Sequence, residues 1–154
     1  MTESDELAET IEVRFDGEGG NKLSIVIFGY SHPASEDYWD GNWIRANVSV
    51  QVTGFSGNMS GHIRLEELQD LVVKLQHIYD DLSGTATFST MEEWIEFEIQ
   101  IGKLAQVHIR GFLQDYWSQD NMLTFVIQSD QTHLLSPIKQ LKATLSRFPI
   151  RGAP

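Results

Sequence analysis

The chain has 154 residues, of which 41% are hydrophobic and 10% aromatic, and its 22 acidic and 11 basic residues give a formal net charge of −11. This composition excludes an intrinsically disordered chain, and the negative field argues against binding to nucleic acid or anionic membranes. Cysteine is absent, which excludes disulfides and thiolate metal sites and leads us to expect a reducing, cytoplasmic location.

The negative charge is concentrated in the first two thirds of the chain. Residues 1–100 carry 19 acidic and 5 basic residues, hence −14, whereas residues 101–154 carry 3 acidic and 6 basic residues, hence +3. Such a field attracts a basic partner, although it also serves plain solubility. No apolar run approaches the roughly 18 residues that span a bilayer, and the acidic N-terminus has no apolar signal region.

The chain order of the elements predicts the fold class. Residues 1–10 are predicted to be an acidic mobile tail, and residues 11–150 a single domain. Alternating or apolar patterns predict strands at 11–15, 23–30, 43–54, 62–64, 85–89, 94–101, 105–112 and 122–129. The connections at 31–42, 55–61 and 113–121 are polar or rich in turn residues.

Two segments have helical spacing of their apolar residues. The first covers residues 65–84, with Gly84 as its stop, and the second begins at Ser136–Pro137 and runs up to Pro149. No internal repeat is visible. The sequence therefore predicts an α+β domain with a mostly antiparallel sheet of about eight strands covered by two helices.

The segment DYWDGNWI, residues 37–44, is the densest aromatic stretch. Asp40-Gly41 is a strong turn signal, so we interpret Trp39, Gly41 and Trp43 as structural, with the two indoles buried at a corner of the sheet. The alternative is a binding site, in which the aromatic rings are accompanied by the carboxylates of Asp37 and Asp40.

The densest acidic cluster lies in MEEWIEFEI, residues 91–99. Burying the isoleucines of 94–101 and the apolar residues of 105–112 predicts the pairs Ile99–Val107 and Phe97–Ile109, joined by a three-residue loop, 102–104. This register places Glu98 opposite His108 and Glu96 opposite Arg110 on the outer face. Exposed carboxylates with a cationic neighbour have no cause for a raised pKa, so they are poor general acids.

Ordinary cross-strand charge pairs explain this cluster better than a catalytic pair does. The same outer face is expected to display Trp94 together with Glu96, Glu98, His108 and Arg110, which makes it a candidate contact surface. The candidate partner-binding residues are the carboxylates of both segments and one indole: Asp37, Asp40, Glu92, Glu93, Trp94, Glu96 and Glu98. GFSGN is not a nucleophile motif, no H-E-x-x-H is present, and the five histidines lack ligand spacing. We therefore predict no catalytic residue, no cofactor and no metal, although a metal site assembled in three dimensions remains an alternative.

Several stretches together resemble a known family. They are FGY (28–30), DYWDGNW (37–43), GFSG (54–57), LSGTATF (82–88) and SDQTHL (129–134). In this order they resemble the WapI-type immunity proteins of bacterial contact-dependent toxin systems. The resemblance implies a cytosolic, non-enzymatic protein that neutralises a toxin domain, typically a nuclease acting on tRNA.

The partner expected from charge and resemblance together is a basic toxin domain, with no nucleic acid and no membrane involved. The chain is expected to be a monomer or a homodimer. Two other classes stay open: a small enzyme or ligand-binding domain, which a deep pocket with converging polar groups would indicate, and a structural subunit, which a large exposed apolar patch would indicate.

Overall fold

Two four-stranded antiparallel sheets form the framework of the computed structural model, which describes residues 10–115 and 120–154. Sheet A contains β1 (Ile11–Asp16), β2 (Lys22–Tyr30), β3 (Trp43–Val52) and β4 (Phe55–Arg64). Sheet B contains β5 (Gly84–Ser89), β6 (Ile95–Ile101), β7 (Gln106–Gln114) and β8 (Met122–Asp130). In both sheets the strands follow one another in chain order. The prediction of an α+β fold with eight antiparallel strands is confirmed.

Each sheet is followed by one long helix. A short helix, α1 (Tyr38–Gly41), lies between β2 and β3. The long helices α2 (Leu65–Asp81) and α3 (Leu135–Arg147) follow β4 and β8. They pack against each other, with α2 also against β5 and α3 against β1. The chain thus repeats one arrangement, four strands and a helix, although the sequence shows no matching repeat.

The hydrophobic core is shared by both sheets and both long helices. Alternation along β6 buries every second residue, as predicted, and leaves Glu96, Glu98 and Gln100 exposed. The rings of Phe15 in sheet A and Phe97 in sheet B meet edge to face, 5.8 Å between centroids. Burying each such side chain contributes about 1.5–3 kcal/mol, so the contact between the sheets is a main source of stability.

The prediction of a turn-rich segment at 55–61 is wrong, because these residues form most of β4. The strand is joined to β3 by the two residues Thr53 and Gly54. Glycine is needed within β4 because sheet B packs closely there. A Cβ on Gly61 would lie 2.6 Å from the ring of Trp94, and one on Gly57 would lie 2.8 Å from Leu123. These glycines therefore mark a close approach and not a turn.

The predicted register between β6 and β7 is also wrong, by two residues. The observed pairs are Ile101 with Val107 and Ile99 with Ile109. Five residues, 102–106, lie between the last pair Ile101–Val107, two more than in the predicted loop, and Leu104 and Ala105 take positive φ values of 60° and 59°. Because side chains alternate with a period of two, the inner face stays the same, but the outer partners change. Glu98 lies opposite Arg110, Glu96 opposite Phe112, and Gln100 opposite His108.

Helix ends differ slightly from the prediction. Helix α2 ends at Asp81 because Leu82 is left-handed, with φ 53°, and Gly84 is the first residue of β5. Helix α3 begins at Leu135, after a 3-10 turn capped by Asp130, and not at Ser136. The predicted tail lies outside the described residues apart from Thr10, as do residues 116–119 of the predicted loop 113–121. None of the helices in the described part of the chain is long and apolar enough to cross a membrane.

Candidate interaction surface

The segment DYWDGNWI forms a corner around helix α1. Asp37 caps this helix by accepting hydrogen bonds from the amides of Trp39 and Asp40, both at 3.0 Å. Arg64, which is only 2% exposed, donates from Nη1 to the carbonyl of Trp39 at 2.6 Å and from Nη2 to that of Tyr38 at 2.9 Å. The last carbonyls of a helix have no hydrogen-bond donors within the helix. Here the Arg64 guanidinium supplies those donors.

A second arginine, Arg151, closes the other side of the corner. Its Nε donates to the carbonyl of Gly41 at 3.0 Å, and its guanidinium stacks 3.7 Å from the ring centre of Tyr30. Buried Asn42 donates to the Arg151 carbonyl at 2.9 Å and accepts from its amide at 2.8 Å. Gly41 is buried, and a Cβ there would lie 2.9 Å from the carbonyl oxygen of Ser35. The corner is thus held mainly by polar groups.

The prediction that both tryptophans are buried anchors is wrong for Trp39, whose surface is 56% exposed. Trp43 is half-buried, with its ring edge-on to His62 at 6.5 Å and the Arg64 guanidinium 5.0 Å from its centre. Sequence reasoning missed Arg64 and Arg151, because their bonds are to backbone carbonyls up to 119 positions away. The only local signal is Arg64 directly before α2, where Glu67 lies at the third helical position.

Arg64 and Glu67 also tie the loop before β6 to this corner. One carboxylate oxygen of Glu67 accepts from the amide of Arg64 at 2.7 Å, and the other accepts from the amide of Met91 at 2.7 Å. Burial raises the pKa of Glu67 above its ordinary value, and the two amide hydrogen bonds oppose that rise. Glu66 pairs with the guanidinium of Arg64. The segments that carry Asp37–Asp40 and Glu92–Glu93 are therefore both attached to the Arg64–Glu67 pair.

The prediction that Trp94 lies on the outer face is wrong. Trp94 is fully buried, its indole packs against Gly61, and its Nε1 donates to the carbonyl of His62 at 3.0 Å. It lies just before β6, so the alternation of the strand does not apply to it, and the gap left by glycine in β4 receives the ring. Trp94 is therefore a contact between the sheets and is removed from the candidate partner-binding residues.

The remaining candidate carboxylates lie at or near the surface. Asp37, Asp40, Glu93, Glu96 and Glu98 are exposed and Glu92 is half-buried. Across residues 10–115 and 120–154, none of the six forms an ion pair. These carboxylates therefore have no ion-pair partner within the described residues and lie where a partner protein could reach them.

The outer face of sheet B contains a shallow groove of about 450 Å³. One row of cross-strand neighbours runs through Thr87, Glu98, Arg110 and Val126, and the next through Ser89, Glu96, Phe112 and Thr124. The groove is lined by the apolar side chains of Phe112 and Val126 and by the charged side chains of Glu96, Glu98 and Arg110. The described residues contain no group of three or more histidines, aspartates or glutamates that could hold a metal ion.

Comparison with solved structures shows a shared fold. The structure titled "Crystal structures of trypanosoma bruciei MRP1/MRP2" superposes with a TM-score of 0.50 over 90% of this chain and 84% of that chain. The identity is 8%, so the similarity concerns the fold alone. No curated protein matches the sequence significantly.

A family match covers most of the chain. The sequence model described as "Immunity protein WapI-like family" matches residues 14–149, which run from β1 beyond the end of α3. The match includes the DYWDGNW corner, both sheets and both long helices, so the resemblance inferred from the sequence is confirmed. The chain belongs to the WapI-like immunity protein family.

Proposed function

We propose that this chain neutralises a cognate bacterial toxin domain by binding it directly in the cytoplasm, without catalysis of its own. Membership of the WapI-like immunity family carries this proposal, because it implies a protein toxin as partner and a non-enzymatic role. In the proposal the toxin domain is basic, typically a nuclease, and neither nucleic acid nor membrane contacts this chain, which acts as a monomer or homodimer.

Electrostatics supports an acidic contact surface on this chain. The six candidate carboxylates are Asp37, Asp40, Glu92, Glu93, Glu96 and Glu98, and the described residues leave them without ion pairs. A nuclease binds phosphate through a basic site, so an acidic domain can cover that site and exclude its substrate. Complementary charge also speeds encounter, which favours capture of a toxin before it acts.

Protection of the host cell is the primary test. Cells that produce the toxin domain encoded beside this chain should stop growing, and co-production of the chain should restore growth. Loss of growth in spite of soluble immunity protein would refute the immunity function itself.

Association kinetics test the contact surface separately. Replacing Glu92 and Glu93 with lysine should slow association with the toxin domain, most strongly at low salt, and change dissociation less. The matched control replaces Asp80 and Asp81 with lysine at the far end of α2. A helix rises about 1.5 Å per residue, so this control changes net charge equally at roughly 20 Å from Glu66 and Glu67. Equal on-rates for both variants would exclude loop 90–93 from the contact surface.

A further inference from the structure

We propose that Trp39 is the hydrophobic anchor of the interface and enters an apolar pocket on the partner that is edged by lysine or arginine. The inference rests on the proposed function only in taking the partner to be the toxin domain. Single exposed hydrophobic residues are ordinary on protein surfaces, so exposure alone does not support the proposal. Three further features do: a fixed backbone, hydrogen bonds that link Trp39 to a second exposed hydrophobic residue, and exposed carboxylates close to both residues in sequence.

The backbone of Trp39 is fixed from both sides although its side chain faces solvent. Its amide donates to Asp37 at 3.0 Å and its carbonyl accepts from Arg64 at 2.6 Å. The indole meets the ring of Tyr38 edge-on at 5.0 Å, and the Arg64 guanidinium lies 5.8 Å from its centre. A side chain ordered before binding loses little conformational entropy on binding, and tryptophan is among the residues that dominate interface energies.

A second exposed hydrophobic residue is linked to Trp39 through hydrogen bonds. Met91 is 63% exposed, and its amide is held by Glu67, which also binds the amide of Arg64. Trp39 and Met91 are therefore connected through only two residues, Arg64 and Glu67. Methionine adapts to irregular apolar surfaces, so the pair combines a rigid contact with an adaptable one.

The charges around Trp39 determine which partner fits. Glu36, Asp37 and Asp40 are exposed beside it in sequence, and Glu92 and Glu93 follow Met91. Both arginines of the corner offer little positive charge to a partner. Arg64 is buried and engaged by Glu66 and two carbonyls. The Arg151 guanidinium donates to the carbonyl of Gly41 and stacks on the ring of Tyr30. A second copy of this chain would bring the same carboxylates together, which is unfavourable. A pocket edged by lysine or arginine would instead pair with them.

Calorimetry with a catalytically inactive form of the toxin domain tests the anchor. Trp39→Ala should weaken binding by about 30-fold or more, mainly through faster dissociation, and should weaken growth protection in parallel. The matched control is Phe55→Ala, which removes another aromatic ring, 70% exposed, beside the β3–β4 turn. This control should bind within about twofold of the parent chain.

Met91→Ala keeps the test valid if Trp39→Ala unfolds, because its side chain is exposed and only its amide is used by the fold. It should weaken binding several-fold. Parent-level affinity in Trp39→Ala, or in Met91→Ala where that variant must be used, would overturn the anchor while leaving the immunity function standing. Failure of the parent chain to bind would overturn both. A concentration-dependent dimer that Trp39→Ala abolishes, seen by sedimentation, would assign the surface to a second copy and overturn the proposed partner.

Discussion

The outer faces of the two sheets use the same kinds of residue differently. On sheet A, Arg14 lies 3.6 Å from Glu12 and 3.1 Å from Asp16, and Ser24 donates to Glu12 at 2.8 Å. On sheet B, Glu96, Glu98 and Arg110 are exposed, and none has an ion pair within the described residues, although Glu98 and Arg110 are cross-strand neighbours. In strand β1 of sheet A the three charged side chains thus pair with one another, whereas these charged side chains of sheet B have no such pairs within the described residues.

Uncharged polar side chains on the outer face of sheet A also pair with one another. Asn47 and Asn58 exchange hydrogen bonds of 2.9 and 3.0 Å across β3 and β4, and Asn47 also donates to Ser60 at 2.9 Å. Composition alone does not distinguish these faces, because each alternates polar with apolar residues. The difference lies in whether polar groups satisfy one another. It predicts that substitutions on sheet A alter folding stability and that substitutions on sheet B alter binding.

Two arginines provide the largest expected contrast. Arg64 ends β4 and is buried against two carbonyls and Glu66. Arg64→Met should lower the free energy of unfolding by about 3–5 kcal/mol, because it leaves the Glu66 carboxylate and the Trp39 carbonyl without this partner. Arg110 on sheet B is exposed and forms no ion pair with the residues that the structure describes. Arg110→Met should therefore change the free energy of unfolding by less than about 0.5 kcal/mol. Urea unfolding followed by circular dichroism measures both, and similar losses would contradict the comparison.

Sequence reasoning predicted well what depends on alternation and poorly what depends on close packing. The inner face of β6 and the apolar stripe of α2 follow from spacing alone, since one face must be buried. The register was missed because it depends on a connection in which Leu104 and Ala105 take left-handed conformations. Neither leucine nor alanine favours a left-handed conformation, so the sequence of the connection does not predict it.

The candidate site was predicted only in part for the same reason. Its exposed carboxylates follow from the pattern, whereas the burial of Trp94 depends on Gly61 in the other sheet. Glycine was interpreted as a turn signal. A sequence alone does not show whether a glycine is present because the backbone needs an unusual conformation or because a neighbouring ring needs the space. The exposure of Trp39 was missed because the corner is held by Arg64 and Arg151, whose bonds are to distant backbone.

Charge reversal should separate the two faces in binding. The double variant Glu96→Lys, Glu98→Lys should slow association with the toxin domain about tenfold at low salt. The matched variant Glu12→Lys, Asp16→Lys changes net charge equally on sheet A and should slow it much less, while losing the ion pairs of Arg14. Stopped-flow association at several salt concentrations compares them. Equal slowing would show that only the total charge of the chain matters.

The amide pair on sheet A should show a smaller, purely structural effect. Asn47→Ala removes the hydrogen bonds to Asn58 and Ser60 and should lower the free energy of unfolding by about 0.5–1.5 kcal/mol. Its affinity for the toxin domain should stay at the parent level. On sheet B, Thr124→Ala should show the opposite pattern, with stability retained and affinity reduced, since Thr124 lines the groove. A binding defect in Asn47→Ala would place part of the interface on sheet A.

The smallest expected effect is a pH dependence at the junction between the sheets. Burial raises the pKa of Glu67 above its ordinary value of 4.5, so the folded state holds this proton more tightly than the unfolded state does. Its contribution to stability is therefore fully present below pH 4.5 and is lost as the pH rises through the folded-state pKa. Stability measured by urea unfolding should decline in that window, and Glu67→Gln should flatten the decline.

Asp130 gives a control of opposite sign, because hydrogen bonds from the hydroxyl and amide of Thr132 hold the pKa of its carboxyl below the ordinary 3.8. Its contribution is present above pH 3.8 and is lost as the pH falls through the folded-state value. Asp130→Asn should therefore alter only the acid end of the curve, below the window of Glu67. An unchanged dependence of stability on pH above 4.5 in Glu67→Gln would contradict the prediction. It would mean that the Glu67 carboxylate is as well solvated in the folded state as in the unfolded chain.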